Sequence, residues 1–127
     1  MRWLLPLLVL SSPVFAGEVP DAGVAQPRFR RTIEQVRLLY FTASWCGGCK
    51  RLEASGALTR LPKGLALEKV DIDAHPEALD KYGVTVTPTL ILVDADGFPL
   101  GKVRISLDDA DATVERLEKL VAKMTRP

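Results

Sequence analysis

The stretch Arg37-Leu38-Leu39-Tyr40-Phe41-Thr42-Ala43-Ser44-Trp45-Cys46-Gly47-Gly48-Cys49-Lys50 decides the fold. Its first seven residues form a short apolar run rich in strand formers, which predicts a buried strand over residues 37–43. That strand runs through Ser44 and Trp45 into Cys46-Gly47-Gly48-Cys49, and a helix is predicted from there to about residue 60. Cysteines in this setting have a physical reason to react. Cys46 is expected at the helix N-terminus, where unpaired backbone N–H groups and the helix dipole favour a thiolate. A lowered thiol pKa raises the nucleophilic fraction at neutral pH. Cys49, one turn further in, is expected to be shielded and placed to attack a mixed disulfide on Cys46. Cys46 is therefore read as the attacking thiol and Cys49 as the resolving one. Gly47 and Gly48 give the turn room, and hold the dithiol less firmly than a proline would.

Further along the chain, residues 65–72 alternate as a second strand does. Residues 75–82 fit a short helix, with Pro76 early and Gly83 at its end. Val84-Thr85-Val86-Thr87-Pro88 leads into a strongly apolar third strand over residues 89–93. Asp96-Gly97 signals a hairpin, with residues 98–105 returning. Residues 109–124 read as an amphipathic helix, because Val114, Leu117, Leu120, Val121 and Met124 recur every three or four positions. Ser106 and Asp109 have capping-box-like spacing at its start. Upstream, residues 28–35 predict one short helix. The order demands parallel pairing first and an antiparallel hairpin later. The expected architecture is α/β, a mixed central sheet flanked by helices on both faces.

The beginning of the chain reads as an address. Met1-Arg2 precedes a short apolar run, Pro13 and small Ala16, which fits a secretory signal peptide over residues 1–16, cleaved after Ala16. A membrane span needs about 20 apolar residues, and this run is shorter and carries two prolines. Residues 17–29 read as a flexible lead-in and residues 30–127 as the folded domain. Cleavage removes Arg2 and no acid, leaving 16 basic and 16 acidic side chains. With no excess of positive charge, a nucleic-acid partner is not expected. Two cysteines and one histidine cannot build a four-ligand zinc site of the usual kinds. Lys50 directly after the second cysteine excludes c-type haem attachment. Two soft thiolates suit copper(I), so a copper-handling role stays open beside redox exchange.

Phe41-Thr42-Ala43-Ser44-Trp45-Cys46-Gly47-Gly48-Cys49-Lys50 resembles the active-site segment of the thioredoxin superfamily, and Val86-Thr87-Pro88-Thr89 resembles that family's cis-proline loop. The resemblance covers roughly residues 30–124. It implies a thioredoxin-like fold, with Pro88 beside the dithiol and the backbone of Thr87 pairing with a substrate peptide. Trp45-Cys46-x-x-Cys49-Lys50-x-x-Glu53 is similar to the C-terminal domain of the envelope disulfide-bond D reductant carriers, which implies that Glu53 influences thiol reactivity. Three positions depart from the cytoplasmic thioredoxin pattern: Gly48 stands where proline is usual, Tyr40 where a buried Asp is usual, and Arg104 near a substrate-contacting glycine. A phenol with an ordinary pKa near about 10 is a poor base at neutral pH, and Tyr40 is read as a core residue. Trp45 is read as a surface residue beside the dithiol, and His75 as a bystander in a surface turn.

The resulting expectation is an exported thiol–disulfide oxidoreductase of the bacterial periplasm, reducing partner disulfides. Cys46, Cys49 and Glu53 form the catalytic set, and Trp45, Thr87 and Pro88 the substrate-binding set. No metal and no cofactor beyond the Cys46–Cys49 disulfide are expected. The partners expected are protein thiols and disulfides and a membrane electron donor, with the chain a monomer. Alternatives are a copper-handling or assembly protein, a disulfide oxidant or isomerase, and a non-catalytic binding module on the same fold.

Overall fold

In the strand Val36–Thr42 (β1), successive side chains enter two different cores, as the two-residue period of a strand requires. Leu38 and Tyr40 join Leu90, Leu92, Leu52, Leu117 and Val121 in one apolar cluster. Leu39 and Phe41 join Ile91, Val93, Ala78 and Val84 in the other. A strand buried on both faces has no polar side to alternate with, which is why this segment reads as one continuous apolar run. Each fully buried Leu or Phe here contributes about 1.5–3 kcal/mol of transfer free energy.

The computed structural model describes residues 31–125. The expected signal peptide, the lead-in and the first three residues of the helix expected over 28–35 lie outside the described residues. Of that last helix, only the short 3₁₀ turn Ile33–Gln35 is seen. After β1 come the helix Gly47–Ala54 (α1), the strand Ala66–Asp71 (β2) and the helix Glu77–Tyr82 (α2). They are followed by the strands Thr89–Asp94 (β3) and Pro99–Val103 (β4) and the helix Ala110–Met124 (α3). The sheet order is β2-β1-β3-β4. β1 pairs with β2 in parallel and with β3 antiparallel, and β4 returns antiparallel on β3. This is the mixed sheet that the alternation of elements demands. α1 and α3 supply Leu52, Leu117 and Val121 to the first core, and α2 supplies Ala78 and Leu79 to the second. Helices therefore cover both faces.

Two local expectations need correction. The helix after the dithiol stops at Ala54, not near residue 60, because Gly56 takes a left-handed conformation (φ 80°) and the chain continues as a 3₁₀ turn, Ala57–Thr59. Apolar Ala57 and Leu58 continue the helical spacing, so periodicity overruns a break that glycine makes. At α3, Asp109 itself is the N-cap, accepting from the Ala112 N–H at 3.1 Å. Ser106 does not join a capping box; its N–H and C=O both bond the hydroxyl of buried Thr113. Gly83 and Gly97 stand where expected, both with positive φ, ending α2 and closing the β3–β4 turn. Among the described residues, no helix is long and apolar enough to cross a membrane.

Candidate redox site

The first turn of α1 sets the reactive geometry. Cys46 is the N-cap, in an extended conformation, and its Sγ accepts the Cys49 backbone N–H at 3.0 Å. A capping position normally filled by a side-chain oxygen is filled here by sulfur, so an orphan N–H of the helix start is aimed at it. Cys46 and Cys49 are joined by a disulfide. Both are buried, Cys46 at 4% and Cys49 at 1% relative exposure. Exposure alone therefore separates them little. What distinguishes them is placement: Cys46 caps the helix, and Cys49 lies inside it above the first core.

Pro88 closes over this turn, and the Thr87–Pro88 peptide bond is cis. A Cβ placed on Gly48 would meet Pro88 Cδ at 3.1 Å and Leu107 Cδ1 at 3.4 Å. Neither Gly47 nor Gly48 has positive φ. The absence of a side chain at 48 thus serves close approach of the proline loop rather than a special backbone turn. Thr87 and Pro88 are half-buried, and Thr89 Oγ1 donates to Val86 O at 2.6 Å, tying the loop to the start of β3. Trp45 is 65% exposed, its indole Nε1 donating to Asp73 Oδ2 at 3.0 Å. A large apolar side chain held outward by one hydrogen bond suits contact with another molecule.

Beneath α1 the structure brings together residues far apart in the sequence. Tyr40 is fully buried and its hydroxyl donates to the Cys49 backbone oxygen at 3.3 Å. Parallel register sets Lys69 of β2 opposite Tyr40, with Nζ 5.9 Å from the ring centre. Lys69 in turn holds Glu53 at 2.8 Å. Glu53 accordingly sits on the exposed side of α1, salt-bridged to the sheet edge. Lys69, Asp73 and Leu107 were not picked out by sequence reading. Their only signal is strand register and loop closure, which a single sequence does not expose. His75 is exposed, beside Glu77. Among the described residues there is no group of three or more His, Cys, Asp or Glu side chains able to hold a metal ion.

Burial pushes the Tyr40 phenol above its ordinary pKa; the Thr42 hydroxyl and the Lys69 ammonium oppose this, and the Glu53 carboxylate adds to it. The phenol is therefore neutral at physiological pH and acts as a donor, not a base. The Lys69 ammonium is raised as well, by its hydrogen bond to Glu53. Both raised values have the same sign for stability. Their contribution is complete below the unfolded-state pKa of about 10 and is lost as pH rises through the folded values. Lys69 is largely exposed, so its share is strongly screened. Urea midpoints measured from neutral to strongly alkaline pH should fall with a shallower slope in Tyr40→Phe than in the unsubstituted chain. Identical slopes would show that Tyr40 does not carry the alkaline limb.

Known proteins share this outline. The chain is 31% identical over 117 residues to protein disulfide isomerase-like 2-2 of Oryza sativa subsp. japonica, an alignment covering 87% of this chain and 30% of that protein. It is 38% identical over 101 residues to thioredoxin of Chlamydia muridarum, covering 76% of this chain and 94% of the relative. The chain thus spans about a third of the isomerase-like protein but nearly all of the bacterial thioredoxin. Among solved structures, a mutant thioredoxin from Halobacterium salinarum superimposes with a TM-score of 0.55 and 31% identity, over 68% of this chain and 75% of that one. The family model described as Thioredoxin matches residues 22–123, and with the strand–dithiol–helix site on the same residues, the chain belongs to the thioredoxin family.

Proposed function

We propose that the chain is an exported thiol–disulfide oxidoreductase that reduces partner disulfides through Cys46 and Cys49. The observation that carries the reading is the Cys46 sulfur capping α1 and accepting the Cys49 N–H, beside the Thr87–Pro88 loop. In the reduced protein, Cys46 thiolate attacks one sulfur of a partner disulfide. That S–S bond breaks, the partner's other sulfur leaves as a thiolate and takes a proton, and a mixed disulfide remains on Cys46. Cys49, deprotonated, then attacks Cys46 Sγ, releases the second partner sulfur and closes the Cys46–Cys49 bond. Two electrons pass from the dithiol to the partner. A membrane-bound electron donor restores the dithiol by the reverse exchange.

Trp45, Thr87 and Pro88 form the docking rim in this scheme, and Tyr40 holds the carbonyl of Cys49 from below. Glu53 acts through Lys69 rather than as a free carboxylate, tuning the field around Tyr40 and the start of α1. The reductive direction is supported by the Trp45-Cys46-x-x-Cys49-Lys50-x-x-Glu53 pattern and by the absence of a histidine between the cysteines. A second reading, a disulfide oxidant or isomerase, is supported by the names of the isomerase-like relatives.

Cys49→Ser tests the chemistry. Without the resolving thiol, mixed disulfides through Cys46 should accumulate in envelope extracts and be identifiable by mass spectrometry, whereas an empty trap would falsify the exchange reaction. Stoichiometric copper(I) binding with no disulfide turnover would favour the copper-handling role instead. Direction follows from a redox titration, since a midpoint well above about −180 mV belongs to oxidants.

A further inference from the structure

A groove of about 410 Å³ runs beside the redox site, between the segment leading into β3 and the end of β4. Its apolar surface comes from Val86, Pro88 and Ile105, and two cations, Lys102 and Arg104, are the charged residues in its lining. Among the described residues, no acid lines it. Lys102 Nζ donates to Gly83 O at 3.1 Å, which anchors the ammonium at the entry to the proline loop. Arg104 has no ion-pair partner among the described residues. Its backbone oxygen accepts from Arg116 Nη1 at 3.0 Å, so a third cation stands directly behind the groove wall. Asp73 holds Trp45, the residue before Cys46, and neither Asp73 nor the exposed Asp71 and Glu77 lines this groove.

We propose that this groove takes an extended, acidic segment of the disulfide partner, flanking its reacting cysteine. Pro88 belongs to both the groove wall and the contact with Gly48 of the Cys46-Gly47-Gly48-Cys49 turn. A peptide bonded through sulfur to Cys46 therefore passes Pro88 before reaching Lys102 and Arg104. An extended chain advances about 3.3 Å per residue, which puts the carboxylate within a few positions of the cysteine. Opposite charge on the partner steers encounter and fixes register, while a basic segment meets two like charges. The chain outside the predicted signal peptide has equal numbers of acids and bases, so selection is local to this groove rather than a product of bulk charge. The proposal rests on the exchange reading for its kinetic consequence, but the groove's charge preference stands on its own geometry.

Two measurements separate the two ideas. First, the oxidised, unsubstituted chain is titrated with thiol-free peptides carrying serine in place of cysteine and Glu, Gln or Lys at the flanking positions, on either side. Second, kcat/KM is measured for the corresponding peptide disulfides with the reduced chain. On at least one flank, the Glu peptide should bind more tightly and react faster than the Lys peptide by roughly threefold to tenfold, the range expected of two partly exposed charge pairs. That ratio should collapse near 1 M salt, where the screening length is about 3 Å. Lys102→Gln with Arg104→Gln should bring the ratio close to one, and Lys102→Glu with Arg104→Glu should invert it. A ratio taken within one protein sample is independent of how much of that sample is folded. Equal binding and equal rates for acidic and basic peptides, or a preference indifferent to both double substitutions, overturns the groove assignment while leaving exchange intact. Charge-selective binding with no exchange of any peptide supports the groove and overturns the oxidoreductase reading.

Discussion

Cys46→Ser lowers disulfide exchange to the uncatalysed background, a loss on the order of a thousandfold or more, because the attacking atom itself is removed. The remaining thiol cannot substitute. Cys49 lies within α1 rather than at its N-cap, so it lacks the helix-start position that favours a thiolate at Cys46. Cys46→Ser should also yield no mixed disulfides, in contrast to Cys49→Ser. Loss of activity is separable from loss of fold, since the disulfide closes a loop of only a few residues and the chain-entropy model assigns it about 2 kcal/mol. Circular dichroism should therefore be preserved while turnover of a chromogenic disulfide disappears. Retention of a tenth or more of the rate by Cys46→Ser would reassign the nucleophile.

Tyr40→Ala carries the largest stability effect expected in the molecule. The side chain is fully buried and lies in the core shared by β1, α1 and α3. Deleting a buried aromatic ring costs about 3–5 kcal/mol through lost transfer energy and the cavity left behind. That is a large part of the stability of a domain this size, typically about 5–15 kcal/mol. Tyr40→Phe keeps the ring and removes only the hydroxyl bonded to the Cys49 carbonyl, a loss of about 0.5–1.5 kcal/mol. Chemical denaturation of the three proteins distinguishes packing from hydrogen bonding. If Phe costs as much as Ala, the hydroxyl dominates; if Ala costs under about 1 kcal/mol, the ring is not the buttress under α1 that its burial implies.

Legibility followed the range of the interaction. The β1 segment, the helix after Cys46, the end of α2 at Gly83 and the Gly97 turn all depend on neighbours within a few residues, and each is readable as a period or a turn signal. The stop of α1 at Ala54 was not, because one glycine inside an otherwise helical spacing is compatible with continuation. Glu53 is picked out by resemblance as a residue near the thiols, and the structure ties it to β2 through Lys69, sixteen positions later. The partner could not be named from spacing. Trp45 reads as a surface residue beside the dithiol, but its hold on Asp73 lies 28 positions away. Tyr40 reads as core, which it is; that its hydroxyl also reaches the Cys49 carbonyl depends on α1 crossing β1 at that height.

The sequence by itself determined that a cysteine pair would cap and enter a helix at the end of a doubly buried strand, and that the sheet would mix parallel and antiparallel pairs. Those outcomes come from side-chain periodicity and from local backbone chemistry. Only the tertiary structure decided what else surrounds the dithiol: the phenol below it, the Lys69–Glu53 pair at the sheet edge, and the cationic groove alongside. Each of these joins residues separated by many positions, and such contacts are set by strand register and packing of whole elements, for which a linear pattern carries no period.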